Sequence, residues 1–201
     1  MAEQLSGKTK FAYALNLAEL GFRIFPCKPN SKVPACYWQQ EATSDPNIIR
    51  QWFVDFPNMN YGVVLGDDYF ALDLDCKGRG NGVDQLDLLE IMNGELPRTF
   101  MVKTPSGGEH RYFRGTAPSS VGKKELGDSI DVRGEGGYVL GPGSSIDGRF
   151  YEVIVDAPIE PAPDWLLGLT ARRNIEPKKR DLSVPLDAPM KSLNVALSSA
   201  G

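Results

Sequence analysis

Hydrophobic positions along the chain fall into short runs that switch between helical and alternating spacing. Phe11, Leu15 and Ala18 share a helical face, with Thr9 at a capping position and Gly21 at a stop, which predicts a helix over residues 10–20. Residues 22–25 read as a short strand ended by Pro26. The stretch Lys28-Pro29-Asn30-Ser31-Lys32-Val33-Pro34 reads as a basic loop that no regular element can hold. Asp45-Pro46 opens a second helix leading into Ile48, Ile49, Trp52 and Phe53. Residues 61–65 and 69–75 read as strands, and Gly66-Asp67-Asp68 between them predicts a hairpin. Leu86, Leu89 and Met92 define one face of a helix over residues 84–92, closed by Asn93-Gly94. Further strands are predicted at 99–103, 109–114, 129–132, 137–140 and 149–154, and a last short helix at 163–167. Strands with a few interspersed helices predict an α+β domain over residues 1–169, with a mixed or largely antiparallel sheet. From 170 to 201 periodicity fades, and Pro, Ser, Ala and basic residues read as a linker or tail.

Composition narrows this picture. Hydrophobic residues at 41% and charged ones at 24% describe an ordinary globular chain rather than a fibrous or disordered one. No apolar run approaches the roughly 18–20 residues of a membrane span, and no basic start precedes an apolar stretch, so the expectation is a cytoplasmic protein without a membrane partner. Cys27, Cys36 and Cys76 show no CxxC spacing and His110 is the one histidine, which excludes the usual four-ligand zinc sites and makes zinc an unexpected cofactor. Any histidine-dependent catalysis must use His110. The formal charge of −4 hides a gradient. Six basic residues against three acidic ones from Thr170 onward give +3, which leaves −7 on the rest. An acidic body still acts on nucleic acid when its carboxylates hold divalent ions.

Three segments carry candidate chemistry. In Phe70-Ala71-Leu72-Asp73-Leu74-Asp75, alternation puts Asp73 and Asp75 on one face and Phe70, Leu72 and Leu74 on the other. Two carboxylates in an apolar strand repel each other unless neutralised, as by Mg²⁺; an edge strand facing water is the bland alternative. In Lys103-Thr104-Pro105-Ser106-Gly107-Gly108-Glu109-His110-Arg111-Tyr112-Phe113, a turn of small residues offers amides and hydroxyls to an anion, with Lys103, His110 and Arg111 as donors. Alternation separates His110 and Tyr112 from Arg111 and Phe113, and a plain hairpin is the bland alternative here. In Ser129-Ile130-Asp131-Val132-Arg133-Gly134-Glu135-Gly136-Gly137-Tyr138, a third carboxylate stands beside a cation. A salt-bridged strand would explain that pair, but Gly134, Gly136 and Gly137 exceed the needs of one turn and suggest close approach of backbone or ligand.

The order Asp73-x-Asp75, Ser106-Gly-Gly-Glu-His110 and Ile130-Asp131-Val-Arg133-Gly-x-Gly-Gly-Tyr-Val resembles the three motifs of the archaeo-eukaryotic primase superfamily. More narrowly, it is similar to the bifunctional primase-polymerase domains of plasmid, phage and prophage replication proteins. Gly21-Phe22-Arg23-Ile24-Phe25-Pro26, Ser31-Lys32-Val33-Pro34 and Tyr61-Gly62-Val63-Val64 fit as well, so the likeness spans roughly residues 10–168. Many relatives have Pro-Pro-Ser where this chain has Pro142-Gly143-Ser144, and the zinc-binding insertion of some relatives is not expected here.

The resemblance implies a modified RNA-recognition-type sheet beside a smaller α/β subdomain, with the site in the cleft between them. It implies that Asp73, Asp75 and Asp131 hold two catalytic Mg²⁺ or Mn²⁺ ions, and that His110 meets the triphosphate of the incoming nucleotide with Ser106 in the accompanying turn. Arg133, Lys103 and Arg111 would add charge there, and Lys32 would contact substrate or template. The implied activity is template-dependent joining of dNTPs or NTPs to a 3′-hydroxyl on a single-stranded or primed DNA template, and relatives often continue into a helicase. Two other readings compete. One is a nucleotide- or origin-binding module without turnover, against which the three carboxylates count. The other is a metal-dependent nuclease or nucleotide-sugar transferase, which the His110 motif disfavours.

Overall fold

The computed structural model describes residues 8–76, 80–121 and 125–171; the predicted tail lies, but for its first two residues, outside them. Helix α1 (Lys10–Glu19) starts where Thr9 caps it, its side-chain oxygen accepting from the Ala12 amide. Its buried face is Tyr13, Ala14, Leu17 and Ala18 rather than Phe11, Leu15 and Ala18. Two neighbours share the helix: its sheet side takes Tyr13, Ala14, Leu17 and Ala18, while Phe11 packs on Phe53 of helix α3 (Pro46–Asp55), ring centres 5.2 Å apart. Helix α3 begins as predicted, with Asp45 accepting from the Asn47 amide and Pro46 in the first turn. A four-residue helix, α2 (Trp38–Glu41), precedes it and was not expected.

Strand β1 (Ile24–Cys27) runs through Pro26 instead of stopping before it. The Ile24 and Lys28 amides, two positions to either side of Pro26, both point away from the neighbouring strand, to Thr43 and Val33. The missing N–H of Pro26 therefore falls on the outer edge of the sheet, away from β2, where no bond of the β1–β2 ladder is lost. Strands β2 (Asn60–Leu65) and β3 (Tyr69–Leu74) are joined by a tight turn in which Gly66 and Tyr69 exchange both backbone bonds, but they do not form the predicted hairpin. They diverge into separate sheets.

Helix α4 (Gly82–Asn93), capped by Asn81, buries Leu86 and Leu89, whereas Met92 is 71% exposed because the last turn runs past the layer it covers. The remaining elements are β4 (Met101–Lys103), β5 (Glu109–Arg114), β6 (Ile130–Arg133), β7 (Gly137–Leu140), β8 (Ser145–Ile146), β9 (Arg149–Phe150), β10 (Glu152–Val155) and α5 (Asp164–Thr170). The strand expected over 149–154 is split in two at Tyr151, and β8 was not foreseen.

The fold is α+β, and every strand pairing among the described residues is antiparallel. One sheet has the order β1-β2-β7, a second β10-β4-β5-β3-β6, and β8-β9 form a small ribbon. The five-stranded sheet sends Phe70, Leu72, Leu74, Phe113, Ile130 and Val132 into a core shared with α4 and α5. Its other face sends Ala71, Val102 and Tyr112 into a core shared with α1 and the three-stranded sheet. Among the described residues no helix is long and apolar enough to cross a membrane.

Gly62, opposite Phe25 in the register, lies beneath the Phe25 ring, which stands 2.1–2.7 Å from where a Cβ would be. Gly62→Ala is expected to lower stability by about 1–3 kcal/mol through overpacking. Gly168→Ala in α5, where a Cβ meets nothing within 4 Å, should raise it by about 0.5–1 kcal/mol. Thermal melts of the two variants check this, and equal shifts would contradict the packing described.

Candidate active site

Strand β3 lies between β5 and β6, and the register sets His110, Asp73 and Asp131 side by side across three strands. Because alternate residues of β3 are packed into the α4 core, Asp73 projects to the opposite face, as the sequence pattern predicts. Ile130 and Val132 do the same for β6, leaving Asp131 and Arg133 on the Asp73 side.

Directly opposed carboxylates destabilise a strand pair unless a cation separates their charge. Arg133 is that cation. Its Nη2 donates to Asp131 Oδ2 at 2.8 Å and to Asp73 Oδ2 at 3.2 Å, with Nε also 3.2 Å from Asp73. His110 Nε2 lies 3.5 Å from the other oxygen of Asp73. Burial alone would raise the pKa of Asp73, but the hydrogen bond and charge of His110, followed by those of Arg133, hold it well below the usual carboxylate range.

The His110 ring is 3% exposed and packs on Tyr151, with centres 5.6 Å apart. Its Nδ1 is buried without a hydrogen-bond partner among the described residues, and Nε2 is the nitrogen turned to Asp73. That cavity, about 350 Å³, is lined by Lys32, Asp73, His110, Arg133, Tyr138 and Tyr151, with Ser119 at its wall. Larger cavities lie elsewhere, beside Trp52 and beside α1. The Asp73, His110 and Arg133 cluster opens into this one.

Lys32 reaches this cavity because its irregular loop is fastened. The buried Asn60 amide bonds the Ser31 and Ser145 carbonyls, and the Tyr138 hydroxyl donates to the Lys32 carbonyl at 2.9 Å. One of the glycines after Arg133 serves the close backbone approach that the sequence suggests, and two others line the cavity. A Cβ on Gly134 would fall 1.9 Å from the Ala117 carbonyl, while Gly136 takes φ +73° and lines the cavity with Gly137.

The other predicted residues are placed differently. Asp75 sits just past the end of β3. Burial, followed by the charges of Asp73 and Asp75, raises the Tyr151 pKa, and Asp75 does not line the cavity. Arg111 is on the opposite face, paired with Glu109 at 2.9 Å and Glu90 at 3.6 Å, as alternation requires. Lys103 and Ser106 line a separate groove at the β4–β5 turn, where the Ser106 and Thr104 hydroxyls are 3.0 Å apart. Sequence reasoning missed Tyr138, Ser119 and Tyr151. For Tyr151 the signal was present, since buried Tyr151 and Val153 alternate with exposed Glu152.

Asp73 and Asp131 are hard oxygen donors of the kind that Mg²⁺ and Mn²⁺ take, and their two negative charges exceed the single positive charge of the Arg133 they share; the donor set fits such ions. Among the described residues, however, no three His, Cys, Asp or Glu side chains are grouped as a closed metal centre. Any ion here would need further ligands, which Mg²⁺ usually draws from water and substrate phosphates.

The family model described as "Bifunctional DNA primase/polymerase, N-terminal" matches residues 14–165, which include all of these site residues. The chain belongs to this family. No individual curated protein shows a match to it. Within the primase-polymerase domain, the α+β architecture agrees with the fold that the motif order implied.

Because the Asp73 pKa is depressed in the folded state, its stabilising contribution is complete above the ordinary carboxylate value of about 4 and is lost as pH falls through the lowered one. In urea unfolding, the stability advantage of wild type over Asp73→Asn at pH 7 should therefore shrink progressively below about pH 4. A gap of constant size at low pH would contradict the ion pairing.

Proposed function

We propose that this primase-polymerase domain is a template-dependent nucleotidyltransferase that makes or extends primers from nucleoside triphosphates during replication of a phage, plasmid or other mobile element. The observation that carries the reading is the in-register row of His110, Asp73 and Asp131 beside Arg133, within a chain of this family. In the reaction the 3′-hydroxyl oxygen bonds to the α-phosphorus, the bond to the β-phosphate oxygen breaks, pyrophosphate leaves and the hydroxyl proton passes to solvent. Asp73 and Asp131, with Asp75 at the strand end, would hold Mg²⁺ or Mn²⁺. When bound, such ions supply charge stabilisation at the attacking and leaving oxygens.

The chain's own groups do the rest. Arg133 sits between the two carboxylates, offsetting their repulsion at close range, and offers cationic charge to phosphate. His110 orients Asp73 through Nε2 and faces the triphosphate from the cavity wall. Lys32 brings a second cation to the cavity, with no ion-pair partner among the described residues.

One observation favours a second reading, a nucleotide- or origin-binding module without turnover: Arg133 already pairs with both carboxylates, and among the described residues no closed metal centre is formed. Turnover separates the two. Labelled nucleotide should be incorporated on a primed template with Mn²⁺ or Mg²⁺, and Asp73→Ala or Asp131→Ala should abolish incorporation. His110→Ala should raise the nucleotide KM by about tenfold or more, the worth of a hydrogen bond to a charged group. Nucleotide binding without incorporation under any of these conditions would favour the binding module.

A further inference from the structure

Three cavities at one end of the five-stranded sheet share walls. The catalytic cavity and a neighbouring one of about 340 Å³ have Tyr151 in common, and that neighbour shares Phe150 with a third of about 450 Å³. The third is the groove between the β4–β5 turn and the β8–β9 ribbon. Phe150 lines it with its ring 54% exposed, and among the described residues no other aromatic ring packs on it. Lys103 and Arg149 flank it, both exposed, and neither side chain has an ion-pair or hydrogen-bond partner among the described residues. Glu152 is the groove's acidic member; it lies across the strand pair from Lys103 without an ion pair between them. The ribbon is held in place, since Asn30 bonds Asp147 at its tip and Asn60 bonds Ser145 at its base.

An exposed aromatic face flanked by free cations is the combination that binds single-stranded nucleic acid, the ring stacking on a base and the cations meeting the backbone. We propose that this groove is the track of a single DNA strand entering the catalytic cavity, with a base stacked on Phe150 and phosphates met by Lys103 and Arg149. This rests on the nucleotidyltransferase reading and gives Lys103 a different substrate from the triphosphate. Its place in a groove apart from His110 and Asp73 supports that change.

The test is fluorescence anisotropy with a labelled oligothymidylate, in the absence of metal and nucleotide, so that binding is read apart from turnover. Phe150→Ala should weaken binding by about tenfold, the worth of one stacked base, and Phe150→Trp should restore it. Arg149→Ala and Lys103→Ala should each reduce the slope of log affinity against log salt by about 0.7. Melting curves establish that the variants are folded. Undiminished oligothymidylate affinity in Phe150→Ala and Arg149→Ala would overturn the proposal. So would a rise in the nucleotide KM of Arg149→Ala with oligothymidylate binding unchanged, which would assign the groove to the triphosphate. If the wild-type protein binds oligothymidylate through these residues yet incorporates no nucleotide, the nucleotidyltransferase reading fails while the strand track stands.

Discussion

The guanidinium of Arg133, shared between Asp73 and Asp131, is the contact on which the site depends. The β3–β6 register brings two largely buried carboxylates face to face, and β3 is committed to that register by Phe70, Leu72 and Leu74 on its other side. A one-residue slip would move these apolar side chains out of the α4 core, so packing on one face enforces electrostatic crowding on the other. Arg133 and His110 relieve the crowding from two directions, and Asp73 stays ionised as a result. The site therefore pairs fixed negative charge with donors suited to phosphate.

The cavity beside this contact is a product of two sheets. The turn at Gly66 to Tyr69 hands the chain from the three-stranded sheet to the five-stranded one. Tyr138 and Lys32 come from the first side of that division, and Asp73, His110 and Arg133 from the second. Asn60 and Tyr138 tie the irregular Lys32 loop to this arrangement through hydrogen bonds between residues far apart in sequence.

Much of the site could be read from the chain, because strand alternation is a local property. The faces of Asp73, Asp131, His110 and Arg111 all follow from the period of two, and the structure keeps them. The predicted hairpin failed because turn chemistry at Gly66-Asp67-Asp68 specifies a reversal but not the partners. Asn60–Leu65 is buried at every position, and a strand of that kind takes the middle of a sheet between β1 and β7. Met92 and the buried face of α1 failed for a related reason: helical spacing gives a stripe, but neighbouring layers decide how far it is covered. Pro26 was misread as a terminator because its tolerance depends on which side of β1 faces β2.

Asp73 and Asp131 are proposed to form, with a bound triphosphate, a site for divalent cations. Mn²⁺ titration followed by electron paramagnetic resonance, with a non-hydrolysable nucleoside triphosphate present, tests this directly. The wild-type protein should bind Mn²⁺, and this binding should be lost in both Asp73→Asn and Asp131→Asn. Mn²⁺ binding of undiminished affinity in the two variants would contradict the proposed site.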